Sequence, residues 1–266
     1  MTVEVDRDME RAFAQLYELQ KRLLNGSLTP LQMRGPVQNI LEHNFQPDTR
    51  LDCYNNLLWP LDGQVMLLRR YNAEYWNNRL TDKQLAAVDT SGDITQHASD
   101  LTTFHVQFNS LEETVEMWWR VYVGEQLKQW RWDELKFDSE HLRLLTCNIR
   151  QYEPGIHRIR INLVAHWEPK NGRTFKEIRE GAKNTSEILA QLEVLSAYGL
   201  HTELFREQDG ENFPYSYMPG IDVSGWGFSS CALCLNWFPS LGQVQLTACP
   251  PKYPLEGWAA PVLRKF

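Results

Sequence analysis

Apolar side chains return along the start of the chain with the rhythm of a helix. Met9, Ala12, Leu16, Leu19 and Leu23 recur three or four residues apart with charges between them, which predicts a helix over 6–24 with one buried face. Asn25-Gly26 ends it. Thr29-Pro30-Leu31-Gln32 then offers an N-cap, a proline at the first helical position and a glutamine at the third, a capping-box start. Gly35-Pro36 interrupts that helix, and its second piece is expected over 36–44. Val65, Leu68, Tyr71 and Tyr75 predict a further helix over 63–80, followed by a polar segment over 82–99.

At Thr102 the period shortens. Phe104, Val106 and Phe108 alternate with His105 and Gln107, the pattern of a half-buried strand with the histidine and the amide on its polar face. Beyond Ser110, Leu111, Val115, Trp118 and Tyr122 fall at i, i+4, i+7 and i+11 with Trp119 on the flank, a core-facing helix stripe. Glu112, Glu113 and Glu116 occupy its far side. Trp130 and Trp132 come after that helix, two apart, so an extended segment aims both rings to one side.

Two further alternating runs, Leu145/Cys147/Ile149 and Ile159/Ile161/Leu163/Ala165/Trp167, predict a hairpin. A two-residue turn at Pro154-Gly155 would set apolar opposite charged along the ladder. A loop of odd length pairs Ile149 with Ile161 and Cys147 with Leu163, and so is expected. TSEILAQLEVLSAYG predicts a helix with Ile188, Leu189, Leu192 and Leu195 inward, closed by Gly199. Short strands are expected at 200–205, 231–237 and 243–249, the last two as a hairpin. Together these elements predict an α+β protein: a mainly helical N-terminal region over 1–97, then over 98–266 an antiparallel sheet with two helices packed on it, sharing one core.

Composition narrows the function. The chain has 266 residues, 42% of them hydrophobic and 12% aromatic, enough for a sizeable core without staples. A formal charge of -7 and a pI near 5.6 argue against general nucleic-acid binding, which rests on clustered Lys and Arg. The first residues do not read as a secretion signal and no run of 18 apolar residues occurs, so the expected location is the cytoplasm, with no membrane contact. Five scattered cysteines agree with a reducing compartment.

Candidate chemistry follows from the hairpin register, which sets Arg150 opposite Arg160, Asn148 opposite Asn162 and Arg158 opposite Tyr152. Opposed like charges ask for an anion between them. Asn148, Arg150, Arg158, Arg160, Asn162 and His166 therefore form a candidate face for a polar or anionic ligand, unless acids of the chain itself neutralise it. Trp130, Arg131 and Trp132 form a candidate partner-binding surface. Cys231-Ala232-Leu233-Cys234 has metal-ligand spacing, yet in a strand i and i+3 point to opposite faces, so these read as buried thiols and no metal or cofactor is expected. Asp89-Thr90-Ser91-Gly92-Asp93 departs from a calcium loop in its glycine position and lacks the bidentate glutamate. The loop around Asp209, Glu211 and Asp222, with Tyr215 and Tyr217, is where carboxylate chemistry would be sought first. His105 and His166 are placed on polar strand faces. Nucleotide and hydrolase motifs are missing from the sequence. The balance favours a non-enzymatic binding or assembly protein whose partner is another protein or a second copy. The alternative is an enzyme or small-ligand binder on the Arg150/Arg158/Arg160 face.

Overall fold

The computed structural model describes residues 57–91, 95–97, 100–125, 128–131, 142–144, 150–166, 173–185, 187–210, 213–225, 228–238, 243–250, 252 and 256–264, with backbone alone at 95–97, 128–131, 142–144, 224–225 and 228–229. All belong to the compact unit Thr49–Phe266. The helices expected over 6–24 and 36–44, and the hairpin strand expected over 145–149, lie outside the described residues.

Helices α1 (Leu61–Glu74) and α2 (Asp82–Ala86) come first, then strands β1 (Thr95–His97) and β2 (Asp100–Gln107), α3 (Leu111–Gly124), β3 (Lys128–Arg131), β4 (Leu142–Leu144) and β5 (Gly155–Asn162). The second half holds α4 (Phe175–Asn184), β6 (Ile188–Leu189), α5 (Leu192–Leu200), α6 (Thr202–Arg206), β7 (Tyr215–Gly225), β8 (Phe228–Phe238), β9 (Gln243–Cys249), β10 (Trp258–Ala259) and β11 (Val262–Leu263). The expected α+β class holds, with two sheets in place of one. A five-stranded sheet runs β1-β2-β5-β11-β6, all its pairs antiparallel. A six-stranded sheet runs β10-β7-β8-β9-β3 with β4 also on β7; its central pairs are antiparallel and its end pairs, β10–β7 and β3–β9, parallel.

Helix α5 sets the architecture. Its nine residues LEVLSAYGL are apolar nearly all round and every one is buried, as a helix without a polar face must be. Its polar groups are met from several directions. Tyr71 donates to the Gly199 carbonyl at 3.0 Å, Tyr122 to the Leu195 carbonyl at 2.7 Å, and Tyr198 bonds Ser216 of β7 at 2.8 Å. Gly199 sits inside this helix and does not close it: a Cβ there would stand 2.5 Å from the Trp118 ring, so the glycine lets α3 approach.

The Trp118 stripe lies inside the core as expected, with Val115, Trp118 and Tyr122 at most 1% exposed. Ser110 caps α3 by accepting from the Glu113 amide. Several expectations give way. Helix α1 stops at Glu74, six residues early, because Asn77 and Asn78 take positive φ of 51° and 56°, conformations asparagine tolerates better than most residues. Ile188 and Leu189 form a strand, not the start of α5. The stretch 200–205 is helical, since Leu200, Leu204 and Phe205 match helical spacing and the Phe205 ring stacks on Tyr198 at 4.5 Å. The supposed binding loop is strand β7, whose register breaks between Met218 and Asp222; a bulge there absorbs Pro219, which has no amide to give a ladder. Helices α2 and α4 were not expected, although both start with capping boxes, Thr81 with Gln84 and Thr174 with Glu177.

Candidate functional site

Strand β5 alternates as its sequence requires: Ile159 and Ile161 are buried, Arg158 and Arg160 half-buried. It ends at Asn162, before Leu163 and Ala165, which lie in a turn where His166 has a φ of 55°. Its pairing partners are β2, with Thr102 opposite Arg160 and Phe104 opposite Arg158, and β11.

Acids of the chain meet the predicted arginines. Arg158 lies 3.3 Å from Asp89 and Arg160 lies 3.8 Å from Asp100. Arg264 joins them, 3.4 Å from Asp100 and 3.9 Å from Glu187, and His166 Nε2 stands 2.9 Å from Glu187. The Asn162 side chain accepts from the Val164 amide at 3.0 Å. Four of the six predicted ligand residues thus have partners within the chain, and the Arg160–Asp100–Arg264 group links β2, β5 and the end of β11. Asp89 behaves as a turn acid, accepting from the Ser91 amide at 2.9 Å. Asn148, Trp132 and the side chains of Trp130 and Arg131 lie outside the described residues; the backbone of Lys128–Arg131 is extended, as expected.

Arg150 belongs to a different group. It is exposed, with its guanidinium 5.2 Å above the Tyr152 ring. Tyr152 in turn lies 4.7 Å from His105 and 4.8 Å from His157, ring to ring. His105 is wholly buried, against the expectation of a polar face, because α5 covers it. Its Nδ1 is 2.9 Å from Ser196 Oγ and its Nε2 3.3 Å from Gln107 Oε1. The Gln107 amide nitrogen donates to the Phe108 carbonyl and to Thr114, both at 3.0 Å, which leaves Oε1 as an acceptor. The proton of His105 is therefore on Nε2, and Nδ1 accepts from the Ser196 hydroxyl.

Glu193, one turn before Ser196, is 2% exposed and accepts from the Gln191 amide at 2.7 Å. Burial pushes its carboxyl above the usual range, against the pull of that amide, of the Tyr152 hydroxyl and of the Arg150 charge. Burial holds His105 down to about 3 and raises the Tyr152 phenol. The group thus runs from a guanidinium at the surface, past an aromatic, to a neutral imidazole–hydroxyl pair and a buried acid. Clustering of perturbed groups of this kind is a mark of functional sites. The sequence carried one sign of it: Glu193 and Ser196 are the polar residues of an otherwise apolar helix, three apart and so on one side.

Of the loop acids, Glu211 lies outside the described residues and the other two serve packing. Asp209 accepts from the Phe213 amide, while Asp222 bonds Ser230 and pairs with Arg179 at 3.5 Å. Arg179 also donates to the carbonyls of Pro219 and Ile221, bracing the β7 bulge. His166 and His105 have separate partners. Among the described residues no three His, Cys, Asp or Glu side chains converge as metal ligands, and no helix is long and apolar enough to cross a membrane. No family model matches the chain, and no curated protein or solved structure is significantly similar to it.

Proposed function

We propose that the protein binds a small anionic ligand where Arg150, Tyr152 and His157 meet the surface, above His105, Ser196 and Glu193. The observation that carries this reading is the convergence of three buried polar side chains, His105, Ser196 and Glu193, behind an exposed guanidinium. Arg150 supplies charge and Tyr152 and His157 supply ring faces, while His105 beneath them, held neutral by burial, adds no charge of its own. This narrows the arginine-face reading to one of its three arginines.

Calorimetry and thermal shift on the full chain test it, with small carboxylates and phosphate esters as probes and uncharged sugars as controls. A carboxylate or phosphate ester that raises the melting temperature by several degrees in the parent, and fails to in Arg150→Ala, is the expected result. Silence across the panel, or binding that Arg150→Ala leaves unchanged, overturns it.

A second reading, an assembly protein acting through Trp130, Arg131 and Trp132, is supported by the place of β3 at the end of the six-stranded path. Among the described residues β3 has one neighbouring strand, and an edge strand is a template for pairing. Light scattering on Trp130→Ala/Trp132→Ala tests it: an assembly present in the parent should dissociate, and an unchanged mass sinks the idea.

A further inference from the structure

The cysteines, which the ligand site does not use, carry an inference of their own. Cys231 and Cys234 point to opposite faces of β8: Cys231 joins the main core, Cys234 a smaller apolar cluster with Cys249 and Tyr217. The register pairs Cys234 with Thr247 and Ala232 with Cys249, so Cys234 and Cys249 are diagonal neighbours on one face. Tyr217 stands directly opposite Cys234 on the other side, and its hydroxyl is 3.8 Å from Cys249 Sγ. The Cys234 thiol donates to the Ala232 carbonyl at 3.3 Å and the Cys249 thiol also lies 3.6 Å from the Pro250 carbonyl. Both are buried, Cys249 at 3% exposure near the end of β9.

Diagonal neighbours have Cα atoms about 7–8 Å apart, at or beyond the roughly 7 Å a disulfide can bridge without backbone movement. A cation between the sulfurs needs no such approach, because two metal–sulfur bonds of about 2.3 Å span about 4.6 Å. Two thiolates with no third ligand among the described residues suit a soft monovalent ion that accepts linear coordination. We infer that Cys234 and Cys249 form a two-coordinate site for a soft monovalent cation of the copper(I) type, with Tyr217 as its hydrogen-bond donor. Binding converts two thiols and one cation into a bis-thiolate complex of net charge −1 and releases two protons. The Tyr217 hydroxyl, which accepts from the Cys249 thiol, then turns to donate to the thiolate.

Copper(I) itself is the probe. The reduced full chain is titrated anaerobically in competition with a chromophoric copper(I) chelator, and bound metal is examined by X-ray absorption. One high-affinity equivalent with two sulfur ligands is expected, retained in Cys231→Ser and weakened at least a hundredfold in Cys234→Ser and in Cys249→Ser. Tyr217→Phe should weaken it less. Thermal unfolding of the apo variants identifies any that fail to fold, and Cys249→Ala then replaces Cys249→Ser. Equal loss in Cys231→Ser, coordination by three or more ligands, or no competition with the chelator overturns the site. So does a mass two hydrogens lighter after mild peroxide treatment, reversed by thiol and lost in Cys249→Ser, which would make the pair a disulfide couple.

Discussion

The five-stranded sheet carries two sets of polar side chains that solve burial differently. On one face Arg158, Arg160 and Asp100 keep their charges and cancel them against one another and against Asp89 and Arg264. On the other His105 and His157 pair across the strands, and His105 meets Ser196 as a neutral group whose charge burial has removed. The first arrangement leaves each charge a partner, with Asp100 nearly buried against Arg160 and Arg264 and Asp89 open to water; the second forbids ionisation. Exposed ion pairs contribute little, whereas a buried polar group left without its partner costs its full desolvation. The two faces should therefore respond unequally to acid and to mutation.

Acid should act most strongly. His105 and His201 are held to about 3 by burial, against an ordinary 6.5. Between those values the unfolded chain binds protons that the folded chain refuses, so stability falls as pH drops from 6.5 toward 3. The slope reaches about 1.4 kcal/mol per pH unit for each histidine. Denaturant melts across that window check it, and a flat profile would contradict the burial argument. Glu193 works in the opposite sense. Its raised carboxyl keeps a proton that the unfolded chain releases above about 4.5, so its contribution is present at low pH and lost as pH rises; Glu193→Gln should remove that part of the profile.

Mutation comes next in size. His105→Ala should cost roughly 2–4 kcal/mol, from the cavity and from the unpaired Ser196 hydroxyl. Glu193→Ala, which strands the Gln191 amide, should cost about 1–3 kcal/mol. On the charged face, Asp100→Ala removes the carboxylate shared by Arg160 and Arg264 and should cost about 1–2 kcal/mol. Least of all, Asp89→Asn should leave the melting temperature within error of the parent, since Asp89 is 70% exposed. A larger loss at Asp89 than at His105, measured by the same melts, would erase the distinction between the faces.

Much of this was legible along the chain. Val115, Trp118 and Tyr122, the alternation of Ile159 and Ile161 with Arg158 and Arg160, and the hairpin of β8 with β9 all follow from local periodicity, because each element needs one apolar face. The opposite placement of Cys231 and Cys234 follows from the two-residue period of a strand. Residue spacing could not reveal what covers a face. His105 looked exposed because Gln107 beside it is polar, and only the arrival of α5 from ninety residues away buries it. The acids that neutralise Arg158 and Arg160 come from a turn and from a neighbouring strand, and the Cys234–Cys249 neighbours depend on the register between two strands. A sequence states which side of an element is apolar; which other element reaches that side is settled by long-range packing, and both the charge state and the company of each polar group depend on it.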